Sequence, residues 1–304
     1  MIILLLLAIQ APVGPIGHWK GDDGAADATG NGFNGTLSPG ASTSKDVAPI
    51  KSPNAGSFGL DGATGHVSIP DAEPLRMPRD FTLSFWKRKT ANNADWVRIA
   101  GKGNGAQRNF GLWEYPGDGG QLKFQIYSQT GQSVLELDSP GMPSINTWHH
   151  IVCWVSVNAA GLVVDGKPVG GATRNGDPGI APDPITFGHA GYHGFFAGQI
   201  DDVRLYHRAL SMSEIAYLAE GKGAPEPPAE LKLEGGALSW KATSTVPPAG
   251  TTTYYTVKRG KAVVASMQTS TSWIDAKPEA GAAYVVTAVN TGGESAPSNE
   301  VVTK

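Results

Sequence analysis

The strictest constraint on this chain is a two-residue rhythm. In residues 121–127, Leu122, Phe124 and Ile126 alternate with Lys123, Gln125 and Tyr127, and Phe81, Leu83 and Phe85 repeat the pattern after Arg79-Asp80. Successive side chains on a strand point to opposite faces, so each segment reads as a strand with one buried side. Asp165-Gly166 separates Leu162-Val163-Val164 from Lys167-Pro168-Val169, and Asp-Gly favours the positive φ angles of a tight hairpin. Residues 148–155 are apolar on both faces, which marks a central strand covered on both sides, as in a sandwich. The 40 glycines and 22 prolines, beside only 17% charged residues, fit many short strands joined by tight turns. The expected fold class is therefore all-β.

A chain of 304 residues has room for about two domains, because single cores seldom grow past roughly 250–300 residues. Ser211 and Glu214 stand at the spacing of a helix capping box, with Ile215 and Leu218 on the buried side and Gly221 as the stop. Residues 221–228 are rich in Gly, Pro and Ala and read as a linker. Residues 229–304 read as a second domain of short strands, with Trp240, Tyr254, Tyr255, Trp273 and Tyr284 as core candidates. Residues 1–9 form an apolar run too short to cross a bilayer, and 1–14 read as an export signal, although a basic n-region is missing. The expected location is secreted or cell-surface. A formal charge of −3 gives no basic stripe for nucleic acid or an anionic membrane. Cys153 is the single cysteine, which excludes an internal disulfide or a Cys-based zinc site and predicts a buried thiol.

Five motifs occur in a fixed order: Gly17-His18-Trp19-Lys20 with the Gly/Asn-rich residues 27–37; Phe58-Gly59-Leu60-Asp61-Gly62; the strand 81–86; Trp148-His149-His150-Ile151 with Val164-Asp165-Gly166-Lys167; and residues 196–206 followed by Arg208-Ala209-Leu210-Ser211. Through these motifs residues 15–220 resemble the laminin-G-like, concanavalin-A-like jelly rolls. Residues 284–301, from Tyr284 to Asn290 and on through Thr291-Gly292-Gly293-Glu294, resemble the closing strands of a fibronectin type III domain, and through them residues 229–304 resemble that smaller immunoglobulin-like sandwich. The first resemblance implies a two-sheet antiparallel jelly-roll sandwich and a recognition role toward glycan or extracellular protein. The second implies a spacer.

Side-chain chemistry offers several candidates. Asp27, Asn31 and Asn34, in a glycine-rich loop, offer oxygens of the kind calcium takes; the family resemblance implies that Asp201 or Asp202 completes such a site, in a structural role. Neighbours on a regular strand face apart, so Asp201 and Asp202 do not form a joint acid/base pair, and neither do His149 and His150. Glu136 and Asp138 share a face, the arrangement used by some hydrolases of this fold, but Gly141 stands where a second glutamate is required. Gly101-Lys102-Gly103-Asn104-Gly105 lacks the Lys-Ser/Thr ending of a phosphate loop and reads as a turn. Trp96, Trp113, Tyr115, Tyr192 and Phe195 are aromatics beside turns, and Trp113, Tyr115, Tyr192 and Phe195 are the candidates for sugar contact at a rim. The expected protein is a non-catalytic carbohydrate-binding module, with a protein-binding adhesive as the alternative and a glycan hydrolase behind both.

Overall fold

The computed structural model describes residues 13–105, 108–117, 121–141 and 143–304. The apolar run read as an export signal lies outside them. In chain order the first fifteen strands are β1 (Gly17–Trp19), β2 (Thr36–Leu37), β3 (Ala41–Ser44), β4 (Ser57–Asp61), β5 (Val67–Ile69), β6 (Phe81–Lys89), β7 (Val97–Lys102) and β8 (Phe110–Glu114); then β9 (Leu122–Tyr127), β10 (Ser133–Asp138), β11 (His149–Val155), β12 (Ala159–Val164), β13 (Lys167–Thr173), β14 (Ile185–Phe187) and β15 (Ala197–Tyr206). They form two antiparallel sheets. One runs β13-β12-β11-β6-β15-β4-β3, with β1 also against β15; the other runs β10-β9-β8-β7-β14-β5-β2. Inward residues of both sheets, among them Phe81, Leu83, Phe85, Phe110, Leu112, Phe124, Ile151 and Leu205, fill one core. This is the two-layer all-β sandwich that the alternation predicts.

The double-sided run at 148–155 has a simple cause. Ile151, Cys153 and Val155 face the sandwich core, while Val152 faces outward under Tyr206, Leu210, Ile215 and Leu218. The cover is α1 (Met212–Ala219), which carries the predicted capping box between Ser211 and Glu214. Burial pushes the Cys153 thiol up, so it stays protonated and inert. The hairpin at Asp165-Gly166 has φ of 50° and 73°, the two positive angles its sequence favours.

Two polar features depart from simple alternation. Lys87 and Lys89 continue the inward face of β6 past the apolar core and are both buried. Glu114, inward on β8, pairs through Oε1 with Lys87, and its Oε2 lies 3.1 Å from Lys89 and accepts from Asn93 Nδ2 at 3.0 Å. Burial alone raises a carboxyl, but the two ammonium groups more than offset it and hold Glu114 low. The strand therefore closes one end of the core with a compact ion cluster.

Residues 229–304 form a smaller two-sheet unit. The strands Ala229–Glu234, Ala237–Lys241 and Ser272–Ile274 make one sheet, and Ala262–Gln268, Tyr254–Arg259, Ala283–Asn290 and Gly293–Glu294 the other, with Val301–Val302 against Ala283–Asn290. Trp240, Tyr255 and Tyr284 are buried in its core and Trp273 packs on it, but Tyr254 points to the opposite face from Tyr255. Buried bonds tie this unit to the first sandwich. Tyr206 Oη donates to the Thr291 carbonyl at 2.8 Å, Asn290 Nδ2 to Tyr217 Oη at 3.0 Å, and Thr291 Oγ1 to Glu214 at 2.5 Å. A side chain at Gly292 would strike the Gly223 carbonyl. The Gly/Pro/Ala segment 221–228 thus packs between the units, with Gly221, Gly223, Pro225 and Pro228 buried.

Candidate functional site

The outward face of the β10-β9-β8-β7-β14 half-sheet carries a cluster of aromatic and cationic side chains. Because Phe110 and Leu112 face the core, period two sends Gly111, Trp113 and Tyr115 outward. The same rule on β9 sends Lys123, Gln125 and Tyr127 outward. Gly111 pairs with Gly101 across β7 and β8, and a Cβ at Gly111 would sit 2.7 Å from Trp113 Nε1. The indole lies over that glycine, which lowers the floor of the face locally. A depression of about 170 Å³ results, lined by Trp96, Arg108, Trp113, Gln125 and His193.

Its walls come from three places in the chain. Trp96 and Tyr115 rings meet at 4.1 Å between centroids. Tyr192 and His193, on the loop between β14 and β15, lie 5.8 and 5.9 Å from the Trp113 ring; His193 sits in the left-handed region with φ of 64°. Arg108 spans the third side, its guanidinium 5.5 Å from the Trp113 centroid and 4.5 Å from that of Tyr127. Arg98 lies beneath, 5.8 Å from Trp113, donating to the Gly103 carbonyl at 2.6 Å and to Thr186 Oγ1 at 2.8 Å. Burial pulls its guanidinium down to about 10. Trp113 Nε1 and the Nε atoms of Arg98 and Arg108 are buried without an acceptor among the described residues.

The fold thus brings together Trp96, Trp113, Tyr115 and Tyr192 from the sequence candidates. Trp113 is not at a rim: it is only 2% exposed and forms the floor. Phe195 leaves the cluster and stacks on His189, 3.7 Å and 8° apart, beside His66. Arg108, Gln125 and His193 escaped the sequence reading. Gln125 was accessible in principle, because the β9 alternation places it beside Lys123 and Tyr127. Arg108 and His193 depend on how loops return to the sheet, which no local pattern encodes.

The residues expected to hold calcium are engaged in hydrogen bonds and ion pairs. Asp27 Oδ1 accepts from the backbone of His18 at 3.1 Å and of Thr29 at 3.0 Å, and Oδ2 from Phe33 at 3.1 Å, while Thr29 Oγ1 reaches both oxygens. Asn31 donates to the Ile16 carbonyl at 2.9 Å. These bonds fold the loop around the Asp27 carboxylate. Asp202 is 2.7 Å from His18 Nε2 and 2.9 Å from the Arg204 guanidinium, a cation already in place. Burial pushes Asp202 up, but Arg204 and His18 together hold it low. Among the described residues no three His, Cys, Asp or Glu side chains form a metal-sized group.

A bulge corrects the expectation that Asp201 and Asp202 face apart. Ile200 and Val203 both enter the core, the register shifts between Asp201 and Arg204, and Asp202 takes φ of 53°. One extra residue between two inward positions leaves both carboxylates on the outer face. Asp201 is fully buried, not solvated. It accepts from the Ala48 N–H and Asn54 Nδ2 at 2.9 Å each, and burial pushes it up to about 7.

The remaining candidates have structural partners. Lys123 lies between Glu136 and Asp138, at 3.1 and 3.4 Å, on an exposed stretch of β10. His149 and His150 face apart: His149 meets Asp165 at 2.7 Å, and buried His150 meets Ser84 Oγ at 2.9 Å. Burial takes His150 down to about 3, so it is neutral at physiological pH. The glycines at 101–105 turn the chain at the end of β7.

No curated protein matches the sequence. Among solved structures, domain 4 of an extracellular arabinanase from Geobacillus stearothermophilus, in complex with arabinotriose, is similar at 20% identity and a TM-score of 0.51, over 68% of this chain and 98% of that one. The receptor-binding domain of the botulinum neurotoxin C/D mosaic serotype is similar at 13% identity and 0.52, over 92% of this chain and 72% of that one. The ligand-binding domain of botulinum neurotoxin serotype D, in complex with N-acetylneuraminic acid, gives 12% and 0.51, over 93% and 73%. At such identities the likeness concerns the fold. A family model described as the concanavalin A-like lectin/glucanases superfamily, Laminin_G_3, matches residues 61–216, which hold β5 to β15 and most of α1. The chain belongs to the concanavalin A-like lectin/glucanases superfamily.

Proposed function

We propose that this protein is an exported, non-catalytic recognition module that binds carbohydrate on the outward face of β7, β8 and β9. The observation that carries the reading is the convergence of Trp96, Trp113 and Tyr115 with Arg108, Gln125 and His193 around one depression. Sugars present apolar C–H faces and hydroxyl edges, and aromatic rings beside amide, imidazole and guanidinium groups match both. The glycan complexes formed by two similarly folded domains support the reading by analogy of fold.

The non-catalytic part of the proposal draws on Glu136 and Asp138, the carboxylates sharing one strand face. Both are exposed and bound to Lys123; Glu136 is held low, the ammonium of Lys123 more than offsetting its burial, which is the opposite of what a general acid needs. The fibronectin-like unit would act as a fixed base, not a tether, because its bonds to Tyr206, Tyr217 and Glu214 are buried.

Retention of the full chain on immobilised arabinan, xylan, mannan and acidic polysaccharides tests the reading. Retention lost in Trp96→Ala supports it. A folded protein retained by none of these glycans would contradict it and favour the protein-binding alternative.

A further inference from the structure

The cations on the recognition face are not equally compensated. Lys123 is held by Glu136 and Asp138, and His193 meets Asp95 at 3.2 Å. Arg98 and Arg108 are different. Among the described residues neither has a carboxylate within ion-pair reach, and each keeps a buried Nε with no acceptor. Arg98 is 2% exposed, its remaining bonds going to the neutral Gly103 carbonyl and the Thr186 hydroxyl. Arg108 is half-buried and held flat by Trp113 and Tyr127.

Such an arrangement is costly for the free protein. Buried charges are normally paired, and a guanidinium left with only neutral acceptors loses hydration without full return. Two of them beneath and beside one aromatic floor create a positive field in the depression. The planar fork of Arg108 suits a carboxylate, which can accept two parallel N–H bonds. Glu136, Asp138 and Asp95 do not compete, because they are tied to Lys123 and His193, and Asp183 acts on Arg98 only from beyond ion-pair reach.

Resting on the carbohydrate-recognition reading, we propose that the ligand is an acidic, carboxylate-bearing sugar, its carboxylate against Arg108 and its ring between Trp96 and His193 over Trp113. Arg98 contributes as a positioning residue that keeps the floor positive from below. Tyr127 and Trp113 fix the Arg108 plane, so little side-chain entropy remains to be lost on binding.

The test uses affinity electrophoresis of the full chain in gels containing polygalacturonate, alginate or hyaluronan, the methyl ester of the same polygalacturonate, heparin, or neutral arabinan and xylan. Esterification removes the charge and leaves the sugar ring. The expected result is retardation by at least one carboxylated polymer, relieved by esterification where that polymer is polygalacturonate and weakened by added salt. Arg108→Gln should weaken it about tenfold or more at an unchanged melting temperature, and Arg108→Lys should restore part of the loss. Equal retardation by acidic and neutral polymers, or an Arg108→Gln variant that binds like the parent, overturns the acidic-sugar inference and leaves carbohydrate recognition standing. Retardation by heparin alone replaces carboxylate with sulfate and also overturns it. No retardation by any polymer removes the recognition reading itself.

Discussion

Asp201→Asn should make this protein more stable, and increasingly so as pH rises. The carboxyl of Asp201 is fully buried, accepts two hydrogen bonds on Oδ2, and has no partner on Oδ1 among the described residues. Burial, helped by the neighbouring Asp202, raises it from 3.8 to about 7. A raised carboxyl means that the folded state holds a proton the unfolded chain has released, so stability is full below about pH 4 and falls as pH climbs toward 7. The whole interval is equivalent to roughly 4 kcal/mol, and about 2.5 kcal/mol of it falls between pH 5 and 8. Asparagine keeps the oxygen that accepts from Ala48 and Asn54 but cannot ionise. Urea unfolding of both proteins at half-unit pH steps isolates the effect, because other titrating groups cancel in the difference. The stability gap between variant and parent should widen by about 2.5 kcal/mol from pH 5 to 8 and flatten above. Parallel curves over that range would refute the reasoning, since they would mean that Asp201 ionises in the folded protein as it does in the open chain.

Two further perturbations probe the joints of the molecule. Gly292→Ala places a methyl against the Gly223 carbonyl at the junction of the two units, and should lower the urea midpoint by the equivalent of about 1–3 kcal/mol, with a larger radius of gyration in solution scattering; an unaltered midpoint and radius would mean that the junction is loose. Glu114→Gln leaves Lys87 and Lys89 buried beside each other without their counter-ion, and should cost about 3–5 kcal/mol in chemical denaturation. A loss under about 1 kcal/mol would show that water already reaches that end of the core.

The strands were legible because their signals are local. Leu122, Phe124 and Ile126 announce one buried face, Asp165-Gly166 a hairpin, and Ser211 with Glu214 a helix start, each within a few residues. The floor of the site was half legible: Trp113 stood out, yet its burial depends on Tyr192 and His193, some eighty residues later, folding back over it. Asp202 misled because a bulge with a non-glycine residue in the left-handed region leaves no mark in composition. Tyr254 and Tyr255 could be told apart only by register, since adjacent tyrosines look alike until one face is covered. The bonds that Asp27 accepts from the backbone of His18, Thr29 and Phe33 were not legible, because they depend on how the 27–35 loop folds back on β1.

The most direct test of the central claim is a crystal structure of the full chain with an oligosaccharide selected from the polysaccharides it retains. The account predicts sugar density on the outward face of β8 and β9, over Trp113 and beside Arg108, with the 27–35 loop undisturbed. Density at that loop instead, or in the cleft of about 700 Å³ between the two units, where His18 and Arg204 face Tyr254 and Lys258, would contradict it.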